Sequence, residues 1–154
     1  MKINKISIEP GRSIIGNAGS TLYRVGGTKE TFGGIKYVFI DGGMTDNIRP
    51  ALYQAEYEAI LANKLDVVED EIVTVAGKCC ESGDLIIKNR KLGKAKAGDL
   101  LLVATTGAYG YSMSSNYNKA QRPAVVFVKD GKSAISIKRE SLEDLVRNDV
   151  DMEL

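Results

Sequence analysis

Gly33-Gly34-Ile35-Lys36-Tyr37-Val38-Phe39-Ile40-Asp41-Gly42-Gly43 is a short apolar run closed at both ends by glycine pairs. A run this brief, rich in aromatic and β-branched residues, predicts a buried strand rather than a helix, ending at the Gly42-Gly43 turn. Downstream, Tyr57, Ile60, Leu61, Leu65, Val67 and Val68 lead into Glu71-Ile72-Val73-Thr74-Val75-Ala76-Gly77, which reads as further strands. Turns at Ser82-Gly83-Asp84 and Gly98-Asp99 introduce Leu85-Ile86-Ile87 and Leu100-Leu101-Leu102-Val103-Ala104. Two more runs, 124–128 and 134–137, flank Lys129-Asp130-Gly131-Lys132, where Asp-Gly signals a two-residue hairpin. Upstream, Lys5-Ile6-Ser7-Ile8 reads as a strand running into Glu9-Pro10-Gly11-Arg12. Ser141 followed by Glu143 and Asp144 predicts a capped, packed terminal helix. About seven short strands at near-regular spacing predict a mainly β, barrel or sandwich-like domain with short helices.

Composition narrows the function classes. The 154 residues suit one domain, and 21 Lys plus Arg against 20 Asp plus Glu leave no basic patch for nucleic acid. No apolar stretch reaches the roughly 20 residues of a membrane helix, so the chain reads as soluble and cytoplasmic, with no membrane partner. Histidine is absent (count 0), which removes Ser-His-Asp triads, HExxH sites and most other zinc arrangements; no metal is expected. The adjacent Cys79 and Cys80, read as strand residues facing opposite ways, are expected as free thiols in a reducing compartment.

Four turns at strand ends carry reactive or anion-binding groups. Glu9-Pro10-Gly11-Arg12 offers a glycine turn beside a guanidinium fork for carboxylate or phosphate, but also reads as an ordinary turn with a surface arginine. In Asp46-Asn47-Ile48-Arg49-Pro50-Ala51-Leu52-Tyr53, one helical turn places Arg49 and Tyr53 on a shared face; an exposed Arg beside a core Tyr is the commoner outcome. Cys80 and Glu81 precede a Ser-Gly-Asp turn, and a thiol with no histidine to activate it suits proton donation better than attack, although both cysteines also read as small buried hydrophobes. Gly107-Ala108-Tyr109-Gly110-Tyr111 opens a glycine-rich segment suited to phosphate, or to a long surface loop.

Taken in order, EPGRSIIGNAG, GGMTDNIRPALY, AGKCCESGD and GDLLLVATTGAYGYSMSSNYN resemble the diaminopimelate decarboxylase family, pyridoxal-phosphate (PLP) enzymes with the alanine-racemase-like fold. The resemblance covers nearly the whole chain. It implies a (β/α)8 PLP barrel followed by a C-terminal β-barrel domain, with residues 1–12 a remnant of the last barrel strand and 13–154 the β domain. It places Glu9, Pro10, Gly11, Arg12 and Tyr109 around the cofactor. Arg12, Arg49, Tyr53, Glu81 and Tyr109 would bind substrate, meso-diaminopimelate, and Cys80 would return the proton that yields L-lysine and CO2. The family's sites form between two subunits, so a homodimer is implied, with Cys80 and Glu81 serving the partner's cofactor. No lysine here sits in a motif that matches the cofactor's anchor, so the isolated chain is expected to be inactive. Related decarboxylases of carboxynorspermidine, arginine or ornithine share the fold, but Arg12 and Arg49 together suit a second carboxylate. A stand-alone, non-catalytic β domain is the remaining alternative.

Overall fold

A computed structural model describes residues 5–152. Six strands, β1 (Thr21–Glu30), β2 (Lys36–Ile40), β3 (Ala59–Leu61), β4 (Glu71–Ala76), β5 (Leu85–Leu92) and β6 (Leu100–Val103), form one sheet in the order β3-β6-β1-β2-β4-β5. The pairings are antiparallel except β2 with β4, which run parallel with Lys36 opposite Val73. A parallel pair needs a long crossover, and here it carries a helical turn, α2 (Arg49–Tyr53), and β3. The edge strands β3 and β5 approach each other to within 8 Å between Cα atoms, which curls the sheet into a nearly closed barrel.

Alternation drives the closure. Tyr23 and Val25 of β1, Val38 and Ile40 of β2, Val73 and Val75 of β4, and Leu101 and Val103 of β6 all point inward and are buried. β1 is shared: residues 21–24 pair with β6, while residues 25–30 pair with β2. The register slips between Val25 and Gly27, a bulge that bends the strand at the barrel corner.

The hairpin of β7 (Val125–Lys129) and β8 (Lys132–Ile137) forms a separate two-stranded sheet. Its turn is the expected Asp130-Gly131, both at positive φ (51° and 72°). No residue of the two strands is buried, and Phe127, Val128 and Ile135 are exposed. Among the described residues, no helix is long and apolar enough to cross a membrane.

Several expectations are corrected. Residues 5–8 form no strand; they lie exposed before α1 (Arg12–Ile15), and residues 1–4 of the expected remnant lie outside the described part. The stretch 57–68 yields only the three-residue β3, because 62–70 turns away as loop. Cys79 and Cys80 sit in a bend beyond β4 rather than in a strand; both are free. Helix α4 (Leu142–Val146) has the expected Ser141 cap, a full capping box with Asp144, but Leu142 and Val146 are exposed rather than packed.

Candidate functional site

The short helices and long loops bring the four sequence motifs to neighbouring positions around the barrel. Strand β6 ends at Val103 and delivers the 104–110 loop against residues 11–19. Thr106 N–H donates to Gly19 O (2.9 Å) and Gly107 N–H to Gly16 O (3.0 Å). Gly19 and Gly107 lie face to face: a Cβ on Gly107 would sit 2.7 Å from Gly19 N and strike the Ile15 carbonyl. Glycine at both positions is what permits these backbones to meet.

Arg12 emerges from this junction, and Arg49 reaches it from α2 through Tyr109. The Arg12 guanidinium donates to Thr105 O (2.7 Å) and to Tyr57 Oη (3.4 Å), with its carbon 5.3 Å from the Tyr57 ring centre. It forms one wall of a cleft of about 300 Å³ lined also by Glu56, Glu58, Ala104 and Arg90. Arg49 opens α2, where Pro50 supplies the fixed φ of a helix start. Its guanidinium carbon lies 5.2 Å from the Tyr53 ring centre and 5.5 Å from that of Tyr109, so two aromatic rings hold one cation. Arg49 Nε is buried and has no hydrogen-bond partner among the described residues. Tyr109 sits at positive φ (63°), and its hydroxyl comes so close to Gly11 that a Cβ there would be 2.5 Å from it. Gly11, Tyr109, Arg49 and Tyr53 are therefore one continuous group.

Glu9 and Pro10 are exposed on the approach to α1, and Gly11 is the residue of the first turn that reaches Tyr109. Cys80 and Glu81 lie on the loop after β4. They make no hydrogen bond with Arg12, Arg49, Tyr53 or Tyr109 among the described residues, but their loop flanks α2: a Cβ on Gly83 would rest 3.8 Å from the Ala51 methyl. Cys80 is exposed, and the neighbouring Cys79 thiol is pushed up by burial and by the Asp84 charge, which keeps it protonated. The Glu81 carboxylate accepts a hydrogen bond from Tyr117 Oη, and that bond raises the Tyr117 phenol pKa.

Sequence reasoning missed the roles of five residues. Tyr57 braces Arg12, Tyr117 orients Glu81, Gly19 with Gly107 seals the loop junction, and Asp84 joins two loops. Asp84 was legible only as a turn former after Ser82-Gly83, yet it is 2% exposed; its Oδ1 accepts from Met44 N (2.6 Å) and Oδ2 from Cys79 N (2.7 Å). Nearby, burial raises the pKa of Asp46, which accepts from Gly43 N (3.0 Å), and raises that of the enclosed Tyr23 phenol.

Comparison with known proteins agrees with this arrangement. The family described as "Pyridoxal-dependent decarboxylase, C-terminal sheet domain" matches residues 13–107. A diaminopimelate decarboxylase of Bacillus subtilis (strain 168) is 57% identical over 148 residues, covering 96% of this chain and 34% of the relative. One from Staphylococcus aureus (strain COL) is 58% identical over 146 residues, covering 94% and 34%. The solved diaminopimelate decarboxylase of M. jannaschii in co-complex with L-lysine superposes with a TM-score of 0.86 at 39% identity, over 94% of this chain and 32% of that one. The chain spans about a third of the length of the curated relatives it matches. The sheet, its short helices and the matched profile together show that the chain belongs to the pyridoxal-dependent decarboxylase family, as its C-terminal sheet domain.

Proposed function

We propose that the chain is the C-terminal part of a cytoplasmic, homodimeric decarboxylase that converts meso-diaminopimelate to L-lysine and CO2 with PLP. The observation that carries this reading is Arg49. It is a cation clasped by Tyr53 and Tyr109, and its side chain has no hydrogen-bond partner among the described residues. The terminal nitrogens of the same guanidinium make no hydrogen bond among the described residues and are not enclosed with Nε, so a carboxylate arriving there would accept from them. Diaminopimelate carries a carboxylate at each end, so one remains to be held while the other is lost.

The residues near Gly11 suit the cofactor. Gly11 has no side chain where Tyr109 Oη closes in, and Arg12 places a cation one residue further on. Glu9, Pro10, Gly11, Arg12 and Tyr109 would hold it, its lysine anchor lying outside this chain. The cofactor supplies, when bound, a ring that withdraws the electrons left behind as CO2 departs. Arg49 and Tyr53 fix the far carboxylate, Glu81 faces the far ammonium, and Arg12 also reaches a substrate carboxylate. The Cys80 Sγ–H then gives its proton to the carbon that lost CO2, and solvent restores it at this exposed position. In the dimer, Cys80 and Glu81 serve the partner's site.

The test is lysine formation from meso-diaminopimelate by a chimera in which this chain replaces the matching third of the Bacillus subtilis relative, with and without Cys80→Ala. Loss of turnover with the thiol supports the reading. CO2 release from another diamino acid instead would leave the cofactor assignment standing and overturn the substrate; no turnover on any would favour a binding domain.

A further inference from the structure

The loop that bears Arg49 and the loop that bears Cys80 both leave the C-terminal end of a parallel strand pair, β2 and β4. Neither has a regular element to fix it until α2 begins. Beyond one main-chain bond at their base, what joins them is a buried carboxylate. Asp84 Oδ1 accepts from Met44 N–H at 2.6 Å and Oδ2 from Cys79 N–H at 2.7 Å, so each oxygen holds one loop. The main chain closes the same clasp: Gly77 N–H donates to Asp84 O (2.9 Å), Asp84 N–H to Glu81 O (3.0 Å) and Lys78 N–H to Gly42 O (3.0 Å).

The fit leaves no slack. A Cβ on Gly43 would meet the carboxylate carbon of Asp84 at 2.9 Å, and one on Gly77 would lie against both oxygens. Cys79 N–H, the held donor, is one residue from the Cys80 thiol. Met44 N–H is one residue from Gly43, whose carbonyl accepts from Asp46 N (2.9 Å) and Asn47 N (3.0 Å) to start the turn towards Arg49.

We propose that Asp84 is a positioning residue that sets the Cys80 loop in register with the Arg49 loop. It rests on the function proposed above for what the two loops do, but not for the clasp itself. It holds whichever subunit's cofactor the thiol faces, because both loops belong to one chain. Asparagine is the informative replacement: it keeps the size but presents an NH2 group to one of two N–H donors, so one loop is released.

The experiment has two arms. In the chain itself, Asp84→Asn is expected to speed amide hydrogen exchange at Cys79 or Met44 at least tenfold while exchange in β1 and β6 stays unchanged. In the chimera, Asp84→Asn is expected to lower kcat at least tenfold, and adding Cys80→Ala to it should cost far less than Cys80→Ala costs alone, because a displaced thiol has little left to lose. Additive losses would mean a merely structural role and overturn the proposal, as would unchanged exchange at both amides. Should Asp84→Asn unfold the chain, Gly77→Ala, which crowds the carboxylate from behind, carries the same two readouts. Altered exchange with an inactive parent chimera would leave the clasp standing and remove the function proposed for it.

Discussion

Arg49→Lys keeps the positive charge and removes the plane, the Nε donor and the stacking. In the structure the guanidinium lies 5.2 Å and 5.5 Å from two ring centres, and its Nε is buried with no hydrogen-bond partner among the described residues. A lysine ammonium is attracted to aromatic faces as well, so the stacking lost amounts to about 0.5 kcal/mol per ring at a partly exposed site. Losing one charge-assisted hydrogen bond to a substrate carboxylate adds about 1.5–3 kcal/mol. The stacking is lost from the free and the substrate-bound protein alike, so only the hydrogen bond counts against kcat/KM, roughly a ten- to hundredfold loss. The loss should fall mainly on KM, since the far carboxylate is held alike before and during the chemical step. The assay is steady-state lysine formation by the chimera over a range of meso-diaminopimelate concentrations, beside Arg49→Ala as the full truncation. A lysine variant within threefold of the parent in KM would show that Arg49 braces the two tyrosines and does not bind substrate.

Other perturbations test the scaffold and the second loop. Asp99 is 2% exposed and accepts from Lys64 Nζ (2.6 Å), Asn63 Nδ2 (3.1 Å) and Lys96 N (2.8 Å). Lys64→Met leaves the carboxylate two neutral donors and should destabilise by about 2 kcal/mol, between the values for exposed and fully buried pairs, as read by urea unfolding. These donors hold the Asp99 pKa below its ordinary value despite the opposing effect of burial, so the stabilisation is present above about pH 4 and fades as pH falls through the lowered folded value. The gap between parent and Lys64→Met should close over that acidic range. Gly107→Ala drives a methyl into the Ile15 carbonyl and should cost about 1–3 kcal/mol, measured by thermal melting. Glu81→Gln should let the Tyr117 phenol titrate nearer its ordinary value, seen in the ring resonances by NMR.

Strands with a continuous apolar signal were legible in the sequence: Lys36–Ile40, Glu71–Ala76, Leu100–Val103 and the Asp130-Gly131 hairpin all lie where expected. β1 was not, because Gly26-Gly27 interrupts it and Arg24, Lys29 and Glu30 give its outer half a loop's composition. β5 outruns its apolar start for a related reason: Lys88 to Lys91 are exposed, and the ladder to β4 carries them. The shared face of Arg49 and Tyr53 followed from helical spacing. That Tyr109 would close the other side of Arg49, or that Asp84 would be buried, depends on partners forty or more residues away that no local pattern announces. Among the expected site residues, Glu9 and Pro10 are exposed, so their role rests on the resemblance.

Strand β6 is the keystone of the sheet order, since Thr21 pairs with Val103 on one side and Ala59 with the same Val103 on the other. Val103 follows the end of β1 by about seventy residues, roughly 4–15 s of synthesis at ribosomal speeds. Throughout that interval residues 21–24 of β1 offer an unpaired edge, with Tyr23 waiting for the strand that will cover it. The exposed Arg24, one of the charges that hide the strand from pattern reading, lies on this edge and discourages edge-to-edge association on a nascent chain. Aggregation during translation should therefore respond to Arg24 far more than the melting temperature of the finished domain does.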